Sequence, residues 1–493
     1  MLESAEVGNQ VSKEDYKAAL PELRLGLVDA QYKLRESDFP VVIWIAGDDS
    51  IAAHEMVNRL NEWMDTRYLD TRVFADESQE EAGRPALWRL WMALPPKGRV
   101  AIFAGGLMRM ATMRANGTID EEQLGARLRH LASTQTSLIA DGVLLLKFFL
   151  HTPEKAQRKK LRKAEKDPYT GWWIDQRDWA ALDRLGPTWP IAERILRDTS
   201  APGAPWTIVE STDARYRDLF VGRAVLAAIT QRLQSKPAGT PALAESVFAD
   251  RDSDATVLCR ADLSLKLDKQ TYREKLAAQQ TKLYRLAMEA RDRGISTVLA
   301  FEGWDAAGKG GAIRRVTRSL EPGEYRVVPV AAPSPEEAQY PYQWRFWRRL
   351  PGPGRFTIFD RTWYGRLLVE RVEGFADPAA WQRAYDEIND FESQLVEHGC
   401  FVAKFWLHIS PEEQLARFEA RANTPYKQHK ITEEDYRNRE KWDDYVQAVD
   451  QMVQRTSSRD ARWHVIPAND KYYARVAVLE AITKGLKRTL RRQ

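Results

Sequence analysis

Shifted by 256 residues (272 − 16 = 256), the chain matches itself: Tyr16 falls on Tyr272, Leu20 on Leu276 and Leu27 on Leu283, then Gly47 on Gly303 and Asp49 on Asp305. Trp88-Arg-Leu-Trp91 falls on Trp344-Arg-Phe-Trp347, Pro95 on Pro351, and Ile102-Phe103 on Ile358-Phe359. With one residue inserted, Lys147-Phe-Phe-Leu-His151 meets Lys404-Phe-Trp-Leu-His408. Coincidence among common residues does not hold one offset through paired tryptophans and shared glycines. A chain of 493 residues would ordinarily be read as two to four domains; the repeat makes it two copies of one fold. Ser235-Lys-Pro-Ala-Gly-Thr-Pro-Ala has linker composition and puts the boundary near 235–260, giving domains over 1–240 and 260–493.

Each copy opens with a helical pattern; in the second, Tyr272, Leu276, Leu283 and Leu286 share a face. A short apolar strand follows, Val41–Ile45 or Thr297–Phe301, then a glycine-containing turn and another helix. Further strands read at Phe356–Phe359, Cys400–Ile409 and Trp463–Ile466, with helical segments between them. Alternating strands and helices predict an α/β fold with a parallel sheet covered on both faces.

Composition excludes little more. The 74 Lys+Arg and 70 Asp+Glu nearly cancel, at 74 − 70 = +4, so no strongly basic domain announces a nucleic-acid partner. No apolar run approaches the ~20 residues of a membrane span, and Met1-Leu-Glu-Ser-Ala-Glu lacks the start of a secretory signal. Cys259 and Cys400 stand 400 − 259 = 141 residues apart, too few cysteines for a disulfide framework or a zinc site. The expectation is a cytoplasmic protein without membrane attachment.

The chemistry concentrates in the second copy. After the strand Thr297–Phe301 comes Gly303-Trp-Asp-Ala-Ala-Gly308-Lys309-Gly310-Gly311, which is G-x-x-x-x-G-K directly after a strand and before a helix. In such a loop the backbone N–H groups of Ala306, Ala307, Gly308, Gly310 and Gly311 curl around phosphate oxygens, helped by the helix N-terminus. Lys309 then reaches the outer phosphates as a point charge. An ordinary strand-to-helix turn also uses glycine, but does not require Gly-Lys at this spacing. The Ser/Thr that usually follows the lysine and holds magnesium is Gly310 here. Mg²⁺ must therefore find oxygen ligands elsewhere, and Asp305 within the loop and Asp360 after the strand Phe356–Phe359 are the candidates.

Arg361, beside Asp360, could neutralise charge on a transferring phosphoryl group. Arg417 and Arg421 lie four apart on one helical face, and Lys427 and Lys430 follow, so that the segment could close over a polyanion. The pair Trp344 and Trp347 reads as core, with Arg345, Arg348 and Arg349 as candidates for a phosphate-chain contact.

Taken together, the Gly303–Gly311 loop, Asp360-Arg-Thr-Trp-Tyr-Gly-Arg-Leu-Leu-Val-Glu-Arg-Val372 and the Gln414…Arg417-Phe…Arg421 lid resemble the family 2 polyphosphate kinases over roughly 265–490. The tail Lys430–Tyr445 is similar to that family too, and the duplicated architecture resembles its two-domain polyphosphate:AMP phosphotransferases. The resemblance implies a thymidylate-kinase-like P-loop fold in three layers, Mg²⁺ as cofactor, and phosphorylation of AMP to ADP with inorganic polyphosphate as donor. It places Asp305 and Asp360 on metal and catalytic carboxylates, Lys309 and Arg361 on phosphate-stabilising positions, and Arg417, Arg421, Lys427 and Lys430 on the lid. Thr362 and Tyr436 stand where the family would have serine and tryptophan.

In the first copy Gly308 becomes Ala52, Lys309 becomes Ala53, Asp360 becomes Ala104 and Arg361 becomes Gly105; Gly47 and Asp49 survive. A catalytically dead domain is expected over 1–240. Its lid equivalent, Lys155–Lys166, is strongly basic and is read as an accessory surface for long polyphosphate chains. An ATP-dependent nucleoside monophosphate kinase of the same fold, and a non-catalytic polyanion-binding protein, are the rival readings.

Overall fold

The computed structural model describes residues 1–168, 176–235, 256–425 and 433–492. The strands are β1 (Val41–Gly47), β2 (Leu69–Phe74), β3 (Val100–Gly105), β4 (Leu144–His151), β5 (Trp206–Glu210), β6 (Thr297–Gly303), β7 (Tyr325–Pro329), β8 (Phe356–Asp360), β9 (Phe401–His408) and β10 (Trp463–Pro467). They form two five-stranded sheets in the orders β2-β3-β1-β4-β5 and β10-β9-β6-β8-β7, which is one order read from opposite ends. All the pairings within these sheets are parallel. The α/β class and the duplication expected from the repeat are both present.

The chain folds into two compact units. The first is Met1–Glu77, Arg89–Gly239 and Ser334–Trp344; the second is Ser78–Trp88, Thr240–Pro333 and Arg345–Gln493. Each unit thus holds a strip taken from the other repeat, and the two strips are themselves 334 − 78 = 256 residues apart. Within the second unit Trp88 Nε1 donates to the Trp347 carbonyl at 3.1 Å, and the Arg84 guanidinium lies 4.4 Å from the Trp88 ring centre. Among the described residues no helix is long and apolar enough to cross a membrane.

In the second sheet β6 is central, flanked by β8 and β9. Parallel strands covered on both faces lose their polar alternation, and every residue of β9 is buried. Register sets Phe301 beside Asp360 and Gly303 beside Leu407, so β6, β8 and β9 deliver their carboxyl ends to one crevice, where open parallel sheets bind ligands. Gly303 has to be glycine there: a Cβ would lie 2.6 Å from the Leu407 carbonyl oxygen. Trp347 is fully buried and Trp344 nearly so, as core residues, and Arg345 Nη2 donates to the Ala331 carbonyl at 2.7 Å.

Candidate active site

The turn after β6 runs from Trp304 to Gly308, where Gly308 (φ +108) caps the helix Lys309–Thr317 in a conformation that suits glycine. Ala306 takes φ +63 without being glycine, as does Arg361 at φ +62 just past β8. Strained backbone of this kind persists where surrounding contacts fix it, and it clusters at functional sites. Lys309 Nζ donates to the Gly303 carbonyl at 2.6 Å, which lays the side chain along the inside of its own loop.

Asp305, Lys309 and Arg361 come together. Asp305 Oδ1 accepts from Arg361 Nη2 at 3.1 Å and Oδ2 accepts from Asn438 Nδ2 at 3.1 Å. Burial would raise the Asp305 carboxyl, but the charges of Lys309 and Arg361 and the hydrogen bonds from Asn438 and Arg361 outweigh it and hold the group below its ordinary value. Asp305 is therefore ionised at neutral pH. These residues line one cleft together with Leu368, Val369, Trp406 and Tyr445. Asp360 ends β8 half-buried, and its carboxylate has no partner among the described residues.

Arg417 is placed differently from Lys309 and Arg361. Its guanidinium is buried and donates to the carbonyls of Ala306 and Ala307 (3.0 Å each), Ala468 (2.7 Å) and Asn469 (2.9 Å), and to Glu413 (2.6 Å). Nη1 thus grips the backbone of the loop that bears Asp305, and Nη2 the segment just past β10. Arg421 is half-buried near the end of the same helix, Pro411–Ala422, while Lys427 and Lys430 lie outside the described residues.

The sequence reading gave no site role to three polar groups here. Glu302 is buried beside the loop, accepts from Thr362 Oγ1 at 2.8 Å, and is pushed upward in pKa by burial against the opposing charges of Lys309 and Arg361. Gln414 Nε2 donates to the Asp305 carbonyl at 3.2 Å, and Asn438 holds the Asp305 carboxylate. The only sequence signal for Glu302 was an acid at the end of an apolar strand; Gln414 stood in the lid motif and Asn438 in the Lys430–Tyr445 tail, but nothing local to either tied it to Asp305.

The corresponding positions of the first unit are satisfied internally. Asp49 caps its helix through the Ala52 N–H at 3.0 Å and pairs with Lys160 at 3.2 Å. Asp48, where the second copy has Trp304, accepts from the Thr152 N–H and Gln157 Nε2 (3.1 Å each) and lies 2.6 Å from His151 Nδ1. His151 Nε2 in turn lies 3.1 Å from Glu6 of the N-terminal segment.

Comparison with known proteins gives the same pattern twice over. A family profile described as Polyphosphate kinase 2 matches residues 10–237 and again 266–493. The chain is 46% identical to a polyphosphate:AMP phosphotransferase of Pseudomonas aeruginosa over 99% of this chain and 98% of that one, and 43% identical to one of Pseudomonas syringae pv. tomato over 100% and 99%. An ADP-polyphosphate phosphotransferase 2 of Rhizobium meliloti matches at 38% over 45% of this chain and 72% of its own length. A crystal structure described as a polyphosphate kinase 2 from Pseudomonas aeruginosa superposes over 100% of both chains with a TM-score of 0.87 at 44% identity.

Proposed function

The chain belongs to the polyphosphate kinase 2 family, and we propose from that premise how its second unit transfers a phosphoryl group. The protein is a polyphosphate-dependent nucleotide phosphotransferase that phosphorylates AMP to ADP with polyphosphate as donor. A phosphate oxygen of AMP attacks the terminal phosphorus of polyphosphate; the bond from that phosphorus to its bridging oxygen breaks, and the chain leaves one phosphate shorter. The dianionic acceptor needs no base, so the work is positioning and charge neutralisation.

The observation that carries this reading is the convergence of Lys309, Arg361 and the ionised Asp305 at one cleft. Lys309 and Arg361 offset charge on the transferring group, and Asp305 fixes Arg361 and orients the acceptor. Arg417 keeps the loop in shape. The residues present fit magnesium: Asp305 and the unpartnered Asp360 offer hard carboxylate oxygens, and Mg²⁺ takes one or two of these together with water and substrate phosphates. No group of three or more metal-ligating side chains occurs among the described residues, as suits a metal held largely by its substrate. When bound there, the ion would supply further charge stabilisation at the phosphate oxygens.

The first unit, on this reading, is non-catalytic, because Ala53, Ala104 and Gly105 replace the lysine, the second carboxylate and the arginine. Purified protein given AMP, polyphosphate and Mg²⁺ without ATP should form ADP, and Lys309→Ala should cut the rate by roughly 10²–10³-fold. Equal rates in both proteins would defeat the assignment, and a requirement for ATP would favour the nucleotide-kinase alternative.

A further inference from the structure

Arg361 sits at φ +62, a conformation that costs a non-glycine residue roughly 1–3 kcal/mol and survives only where neighbours enforce it. The enforcing contacts follow it in the chain. Thr362 Oγ1 donates to Glu302 at 2.8 Å and accepts the Tyr364 N–H at 3.1 Å. Next, Trp363 Nε1 and Tyr364 Oη both donate to Glu392 Oε1, at 3.0 and 2.7 Å. Glu392 lies on the helix Pro378–Glu397, and its other oxygen accepts from Lys404 Nζ of β9 at 2.7 Å. Lys404 also donates to Tyr364 Oη at 3.0 Å and to the Thr456 carbonyl at 2.6 Å. Trp363, Tyr364, Glu392 and Lys404 are all buried. A buried ion pair is weak evidence of stability by itself, so its presence asks for another reason.

The first unit supplies that reason. Lys147 repeats Lys404 (404 − 147 = 257), donating to the Thr199 carbonyl and to Gln135, each at 2.6 Å. Gln135 stands in place of Glu392 (392 − 135 = 257), while Leu107 and Met108 replace Trp363 and Tyr364. Where Arg361 would be, Gly105 takes φ +79 without strain. The copy without the arginine also lacks the carboxylate and both aromatic donors, yet keeps the lysine.

We propose that Glu392 is a positioning residue for phosphoryl transfer, holding Arg361 in its strained, productive conformation through Trp363 and Tyr364. The proposal rests on the reading of Arg361 given above. Gln135 shows that the fold accommodates glutamine opposite this lysine, so Glu392→Gln is the informative variant. In the full-length protein, with AMP and polyphosphate, Glu392→Gln should lower kcat roughly ten- to a hundredfold with either KM changed by less than about twofold. Tyr364→Phe, which leaves the Glu392–Lys404 pair intact, should lower kcat by more than about threefold. In an Arg361→Gly background the cost of Glu392→Gln should shrink to less than about twofold, because the side chain being positioned is gone. A folded Glu392→Gln protein with unchanged kcat, or the same fold-loss in both backgrounds, would overturn the proposal in favour of a purely structural pair. Should Glu392→Gln not fold, Tyr364→Phe decides on the same criterion. Undiminished kcat in Arg361→Gly alone would count against the reading of Arg361 itself.

Discussion

Arg361 Nη2 lies 3.1 Å from Asp305 Oδ1, although the two residues follow different strands of the sheet. Their contact closes the phosphate loop after β6 onto the end of β8, so that acid and base hold each other in place at the mouth of the cleft.

Replacing Arg361 by glycine should separate stability from activity. The strain at φ +62 is relieved, for a gain of about 1 kcal/mol in unfolding free energy, while turnover falls roughly 10²–10³-fold. Denaturant titration and steady-state kinetics on the same preparation check both halves.

Arg417→Ala should act as a structural lesion at the loop. Removing a buried guanidinium strands the carbonyls of Ala306, Ala307, Ala468 and Asn469 and the carboxylate of Glu413, at a cost of about 3 kcal/mol. Arg417→Lys, which restores charge but not the planar fork, should recover only part of that. A variant of wild-type stability with weakened polyphosphate affinity would show instead that the side chain meets substrate directly.

Stability should fall as the solution is acidified, through His408. Trp304 Nε1 donates to His408 Nδ1 at 3.0 Å, which requires the imidazole neutral at that nitrogen, and burial pushes its pKa from 6.5 down to about 4. The unfolded chain therefore takes up the proton first. The contribution is full above pH 6.5 and is lost between there and pH 4, amounting to about 3 kcal/mol. Urea titrations at several pH values should show a shallower decline for His408→Gln than for the wild type.

Of the basic helix Glu154–Lys166, Lys160 is occupied by Asp49 and Glu55, whereas Lys159 and Lys163 are exposed. If the first unit offers a surface to long polyphosphate, Lys159→Gln with Lys163→Gln should raise KM for long chains about three- to tenfold and leave short chains unaffected, an effect that added salt should shrink. Equal KM values for long chains would remove that role.

How much of this was written in the sequence depends on how local each signal is. The phosphate loop was legible because its spacing and glycines are contiguous, and the central strands because both faces are apolar. Leu69–Phe74 and Tyr325–Pro329 passed unread: they edge their sheets, and only Leu69 and Phe74 among them are buried. Trp206–Glu210, at the opposite edge of the first sheet, was likewise unread. The Glu392–Lys404 pair was invisible for another reason. Charged residues on a helix and in a strand read singly as surface or anomaly, and only the fold brings the carboxylate to the amine. Arg417 showed its charge and helical face, but the carbonyls it grips belong to distant turns.

The strip Ser78–Trp88, which belongs to the second unit, has a practical consequence. A recombinant piece beginning at residue 260 carries every residue assigned to catalysis and still lacks the indole that reaches the Trp347 carbonyl. The compact unit that carries those residues is thus a discontinuous selection of the polypeptide, and a cut at residue 260 leaves part of it behind.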